Sequence, residues 1–156
     1  MRHQVIVLTV LLTFGAAPAS AQLRATKTLT LDGAKNIVAA AEAEAKKNGW
    51  NMAIAIVDVA GDLVLFHKGD GARPSNVEFA MRKARTAARY QRETRLLDSA
   101  VTAGRLAFLA TDALPIEGGV PIIVDGEVIG AGGASGGSSA QDAQVAKAGI
   151  AALIQK

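Results

Sequence analysis

The sequence predicts an α+β domain in which helices cover an antiparallel sheet, and three observations carry that reading. Two pairs of short β-rich runs, residues 51–58 with 63–67 and 120–124 with 127–131, are each joined by a tight turn. Segments with apolar residues at helical spacing stand before, between and after those pairs. No strand–helix–strand unit of parallel type is visible. The order helix, hairpin, helix, short helix, hairpin, helix therefore describes helices laid on antiparallel strands.

Each element has its own signal. Thr30 can cap a first helix in which Leu31, Ala34, Ile37, Val38, Ala41 and Ala45 share one face, and Asn48-Gly49 ends it. The run NMAIAIVD (51–58) lacks alternation, as a strand buried on both faces does, so it is expected at the centre of the sheet. A turn through Ala60-Gly61-Asp62 returns the chain along an antiparallel strand ending at His67. Ser75 with Glu78 reads as the capping box of a second helix, with Val77, Ala80, Ala84, Ala87 and Ala88 on a narrow small-residue face. Residues 96–110 are read as one short helix and a connection, because Gly104 interrupts the helix formers. Asp125-Gly126 supplies the positive φ angles of a type I′ hairpin turn. The run GAGGASGG that follows reads as a strand-to-helix turn, with Ser139 and Asp142 capping the last helix, which buries Val145, Ala146, Gly149, Ile150 and Leu153.

Composition narrows the function. Arg2, an apolar run from Val5 to Phe14 and the small residues Ala19-Ser20-Ala21 have the layout of a secretory signal peptide over residues 1–21, too short to span a bilayer. Cleavage after Ala21 leaves one domain, residues 22–156, bound for the periplasm or the medium. Its 16 basic and 14 acidic side chains give no electrostatic footprint for nucleic acid, and it has no further stretch of membrane length. The absence of cysteine removes disulfides, iron–sulfur clusters and Cys nucleophiles. His67 is the single histidine left after processing, which removes multi-histidine zinc sites and leaves serine hydrolysis with only one base and no GxSxG elbow.

Few side chains remain as candidates. His67, at a strand end beside the polar loop 68–74, can ligate a haem iron, or it is an ordinary strand-end histidine. Tyr90 and Met81 are the other groups able to approach iron. Arg82, Arg85, Arg89 and Arg92 share one face of the second helix, with Arg73 and Lys83 near it; guanidinium groups there can receive carboxylates such as haem propionates, serve a subunit interface, or simply be solvated. The glycine-rich run misses both nucleotide fingerprints, because the third glycine of GxGxxG would fall on Ser135 and no Gly-Lys-Ser/Thr follows.

KARTAA (83–88), GGVPI (118–122) and the segment from Ser135 to Gly149 containing SGG and QDAQVAKAG resemble, in order and spacing, the GlcG/HbpS family. The resemblance implies a profilin-like fold, with a five-stranded antiparallel sheet flanked by helices. The fifth strand would have to come from residues 110–116. It further implies an exported haem-binding protein for haem capture, storage or redox protection that assembles as a homo-oligomer. In that reading His67 is the metal ligand, and Arg73, Arg82, Arg85, Arg89 and Tyr90 contact the cofactor. Other members accompany catabolic enzymes, so the alternatives are a protein that binds or converts a small organic acid and an interaction module without a ligand. One departure stands out: the acidic residue common after QD is here Ala143.

The signal-peptide reading predicts a mature N-terminus at Gln22, or its cyclised form, in mass spectra of periplasmic or culture fractions. An intact Met1 chain in the cytoplasm would overturn it.

Overall fold

The computed structural model of the protein describes residues 25–154, so the predicted leader lies outside the described residues. Four strands form one antiparallel sheet in the order β2-β1-β4-β3: β1 (Ala53–Asp58), β2 (Leu63–Lys68), β3 (Gly119–Val124) and β4 (Glu127–Ser135). Four α-helices accompany them: α1 (Leu31–Lys47), α2 (Pro74–Tyr90), α3 (Thr94–Thr102) and α4 (Ser139–Ile154). The architecture is α+β, as the sequence predicts. Among the described residues no helix is long and apolar enough to cross a membrane.

Layering follows from side-chain size. Strand β1 is central, and its alternate residues feed two cores. Ile54 and Ile56 meet Ile37, Val38, Val145 and Ile150 of α1 and α4 on one face, while Ala53, Ala55 and Val57 meet Ala80, Ala84, Ala87 and Ala88 of α2 on the other. The second core is built almost wholly of alanine and glycine, so α2 lies with its backbone against the strands. At Gly133 an added Cβ would overlap the Ala80 carbonyl and the Ala84 amide, and at Gly119 it would overlap the Lys83 carbonyl. Glycine is required there for close approach rather than for a turn.

Several expectations are corrected. No fifth strand forms at residues 110–116. The backbone donors there make local or side-chain bonds instead of a ladder, Ala113 N–H to Thr111 Oγ1, Leu114 N–H to Thr86 Oγ1 and Ile116 N–H to the Leu114 carbonyl, and Pro115 has none to give. The glycine-rich run is mostly strand: β4 continues through Ser135, pairing Ala55 with Gly133 and Ile54 with Ala134, and only Gly136-Gly137 remain for the turn. Helix α2 starts one residue early, because Pro74 with its preset φ takes the first helical position, and Ser75 makes no cap. Ser138 and Gln141, not Ser139 and Asp142, form the box that opens α4. Residues 96–110 give α3 and a separate 3₁₀ turn (Leu106–Ala110). Leu31 is exposed instead of buried. The Thr30 cap and the Asp125-Gly126 turn, with φ of 51° and 79°, are as the sequence predicts.

One ion pair ties the layers together. Lys83 of α2 reaches past Gly118 to Asp142 of α4, Nζ to Oδ2 at 2.7 Å, with side chains only 3% and 4% exposed. Lys83 Nζ also donates to the Ala134 carbonyl at 3.4 Å, and Asp142 Oδ1 accepts the Gly137 N–H at 2.9 Å. Burial pushes the Asp142 carboxyl above its ordinary range, with Lys83 opposing the shift.

Removing one member strands the other charge in the core. Asp142→Asn is expected to cost about 3–5 kcal/mol in urea unfolding, whereas Lys83→Met with Asp142→Leu together should cost far less than either change alone. Gly133→Ala should cost about 1–3 kcal/mol by forcing α2 off the sheet, read as a lower denaturation midpoint at unchanged m-value.

Candidate functional site

Strand β2 is an edge strand, and its last residues meet the C-terminal half of α1. In register His67 stands opposite Ile54, whose side chain enters the core under α1 and α4, so the imidazole faces α1. There Ala45, Trp50, Met52 and Ile54 wall a cavity of about 300 Å³ whose rim carries Glu42, Lys46, Lys68 and Asp70. The side chain of His67 is 31% exposed at this cavity, and its Nε2 lies 3.9 Å from Glu42 Oε1. The same oxygen is 2.6 Å from Lys46 Nζ, one helical turn along α1. That hydrogen bond from Lys46 is the largest reason the Glu42 carboxyl titrates below the usual range, with the charge of His67 adding to it.

The arginine face lies on the other side of the sheet. Arg85 Nε donates to the Gly61 carbonyl at 3.1 Å and Arg89 Nε to the Ala60 carbonyl at 3.0 Å, so both grip the β1–β2 turn. Arg89 Nη1 also reaches Asp112 at 2.9 Å, and Tyr90 OH donates to the other oxygen of that carboxylate at 3.3 Å. The Tyr90 ring stands edge-on to Phe108, 6.4 Å between centroids. Arg82 is exposed on α2, and Met81 packs against the alanine core. Arg73 occupies the N-cap position of α2 without a side-chain capping bond, just after the loop that lines the His67 cavity. It stands about 24 Å along the helix from Arg89, sixteen residues away. The candidates thus separate into two groups: His67 with Arg73 at one end of the sheet, and Arg85, Arg89 and Tyr90 at the other end of α2.

Two features were not found from sequence. Lys83 is grouped with the arginines by its charge, yet it is buried among Ala80, Ala84 and Ala87; its place on that small-residue face is the signal that could have found it. Trp50, the chain's single tryptophan, carries no motif but lines the same cavity as His67. The anion cradle considered for the glycine-rich turn has its donors taken, Gly137 N–H by Asp142 and Ser138 N–H by Gln141 at 2.8 Å. Among the described residues no group of three or more His, Cys, Asp or Glu side chains could hold a bare metal ion.

Chemically, the cavity offers one imidazole, an apolar wall of Ala45, Trp50, Met52 and Ile54, and a rim of two lysines and two carboxylates, of which Lys46 and Glu42 pair with each other. That donor set fits a large planar apolar group carrying a metal and peripheral carboxylates. At about 300 Å³ the cavity lies at the lower end of ligand sites, so it would hold one edge of such a group and leave the rest outside.

Comparison with known proteins agrees in fold and sequence. The family model described as "Haem degrading protein HbpS-like" matches residues 29–151. Protein GlcG of Escherichia coli (strain K12) is 46% identical over 103 residues, covering 65% of this chain and 77% of GlcG. A double mutant of Streptomyces reticuli HbpS superposes with a TM-score of 0.77 at 30% identity, covering 88% of this chain and 94% of that one. The chain described as a PduOC:heme complex superposes with a TM-score of 0.74 at 28% identity, covering 81% and 95%.

Proposed function

The chain belongs to the HbpS-like family, and from that premise we propose that it is an exported haem-binding protein with His67 as its iron ligand. The observation that carries the reading is the position of the one histidine of the described residues: it lines the cavity walled by Trp50, Met52 and Ile54. The haem complex of a structural neighbour at 28% identity supports it. Lys68 at the rim, and Arg73 just beyond the loop that lines the cavity, would supply cations for propionates, Lys46 being engaged with Glu42. With haem bound, the apolar wall would shield part of the ligand from water and His67 would supply a nitrogen ligand to its iron. Bound haem would add a redox-active iron for capture, storage or protection chemistry.

Assembly as a homo-oligomer is part of the same proposal. Leu63 on the edge strand, Leu96 on α3 and Leu106 and Leu109 on the 3₁₀ turn are exposed and available to a subunit contact. A ligand held by only one edge also gains from a second subunit covering the other.

Haemin titration followed by the Soret band and by Trp50 fluorescence tests the site. The expected result is saturable binding that quenches Trp50. His67→Ala should shift the Soret maximum and weaken binding at least about tenfold. Lys68→Ala or Arg73→Ala should weaken it about tenfold with the spectrum unchanged. Broad, unsaturable absorbance identical in all variants would defeat the haem reading. If a small organic acid instead binds and only Arg82→Ala or Arg85→Ala weakens it, the ligand belongs on the arginine face.

A further inference from the structure

We infer that Glu42 is a positioning residue for His67, holding one imidazole nitrogen so that the other presents its lone pair to iron. The inference rests on the haem reading of the cavity but adds a residue to it. Glu42 sits on α1 and His67 on β2, so their meeting is made by the packing of helix on sheet and not by local sequence. Their 3.9 Å separation exceeds a direct hydrogen bond, and a shift of about 1 Å would close it.

The carboxylate is prepared for that role. Lys46 Nζ pins Oε1 at 2.6 Å, which fixes the carboxylate on the side of α1 that faces the imidazole. Among the described residues no other acidic side chain is paired with His67. Glu44, two residues along α1, is turned elsewhere, receiving Gln144 Nε2 at 2.6 Å and Asn48 Nδ2 at 3.0 Å. A carboxylate that accepts the second N–H of a ligating histidine fixes its tautomer and ring plane and makes the ligand more basic. Greater basicity favours the ferric over the ferrous state, so Glu42 should lower the midpoint potential.

The test compares Glu42→Gln, Glu42→Asp and the control Glu44→Gln. In the ligand-free protein, ¹⁵N-labelled His67 should show one tautomer in the wild type and a mixture in Glu42→Gln. On haemin titration Glu42→Gln should bind about tenfold more weakly and show a higher midpoint potential, with Glu42→Asp recovering part of both and Glu44→Gln matching the wild type. Wild-type binding with Glu42→Gln unchanged in tautomer, affinity and potential would overturn the inference and leave the haem reading intact. Absence of saturable binding to the wild type would overturn the haem reading, and the tautomer result would then decide by itself whether Glu42 orients His67.

Discussion

The bare contact between α2 and the sheet is the constraint from which the rest of the molecule follows. Ala80, Ala84 and Ala87 on the helix, with Gly119 and Gly133 on the strands, leave no side chain between the two backbones. A contact of this kind buries little apolar area per residue and so derives its stability from closeness of packing. The Lys83–Asp142 pair crosses it at one point and joins α2 to the opposite layer through α4. Such a pair adds little net stability compared with an apolar substitute, but it tolerates only one arrangement of α2, β4 and α4. The three segments that carry the family resemblance all meet there: Lys83 from KARTAA, Gly118 and Gly119 from GGVPI, and Asp142 from the segment opening α4.

That geometry also divides the chemistry of the surface. With α2 flush against one face, its arginines are drawn to the β1–β2 turn, where Arg85 and Arg89 satisfy carbonyls that the tight turn leaves unpaired. The other face, under α1 and α4, is packed with larger side chains, and the mismatch between the end of α1 and the edge strand β2 leaves the concavity at His67. Small residues make a sealed layer and large ones make a layer with a gap.

What was legible in the sequence follows the same division. The central strand showed itself by the unbroken apolar run AIAIV, the hairpin by Asp125-Gly126, and α1 by its Thr30 cap and helical spacing. The errors arose where tertiary contact overruled a local signal. Glycine ordinarily marks a turn, so the run from Gly130 reads as one, although in β4 Gly130 lies against the Val57 carbonyl of β1 and Gly133 against the backbone of α2. Lysine ordinarily marks solvent, so Lys83 was placed with the arginines, although its partner is 59 residues away. Ser75 had the chemistry of a cap, but the rigid ring of Pro74 claimed the first turn. Within the site, His67 was visible as a unique residue, while Glu42 and Trp50 were not, since nothing local says that the end of α1 lies beside the end of β2.

The placement of the ion pair away from the His67 cavity has a consequence for how this architecture can change. Lys83 lies on α2, across the sheet from the cavity, and only Met52 of the cavity wall packs against the Gly136-Gly137 turn, whose Gly137 N–H Asp142 accepts. Substitutions at the rim, at Lys46, Lys68 or Asp70, can therefore alter what is held there without disturbing the interlock that specifies the backbone. A scaffold arranged in this way is modular across its own thickness: one side conserves shape, and the other is free to acquire a new occupant.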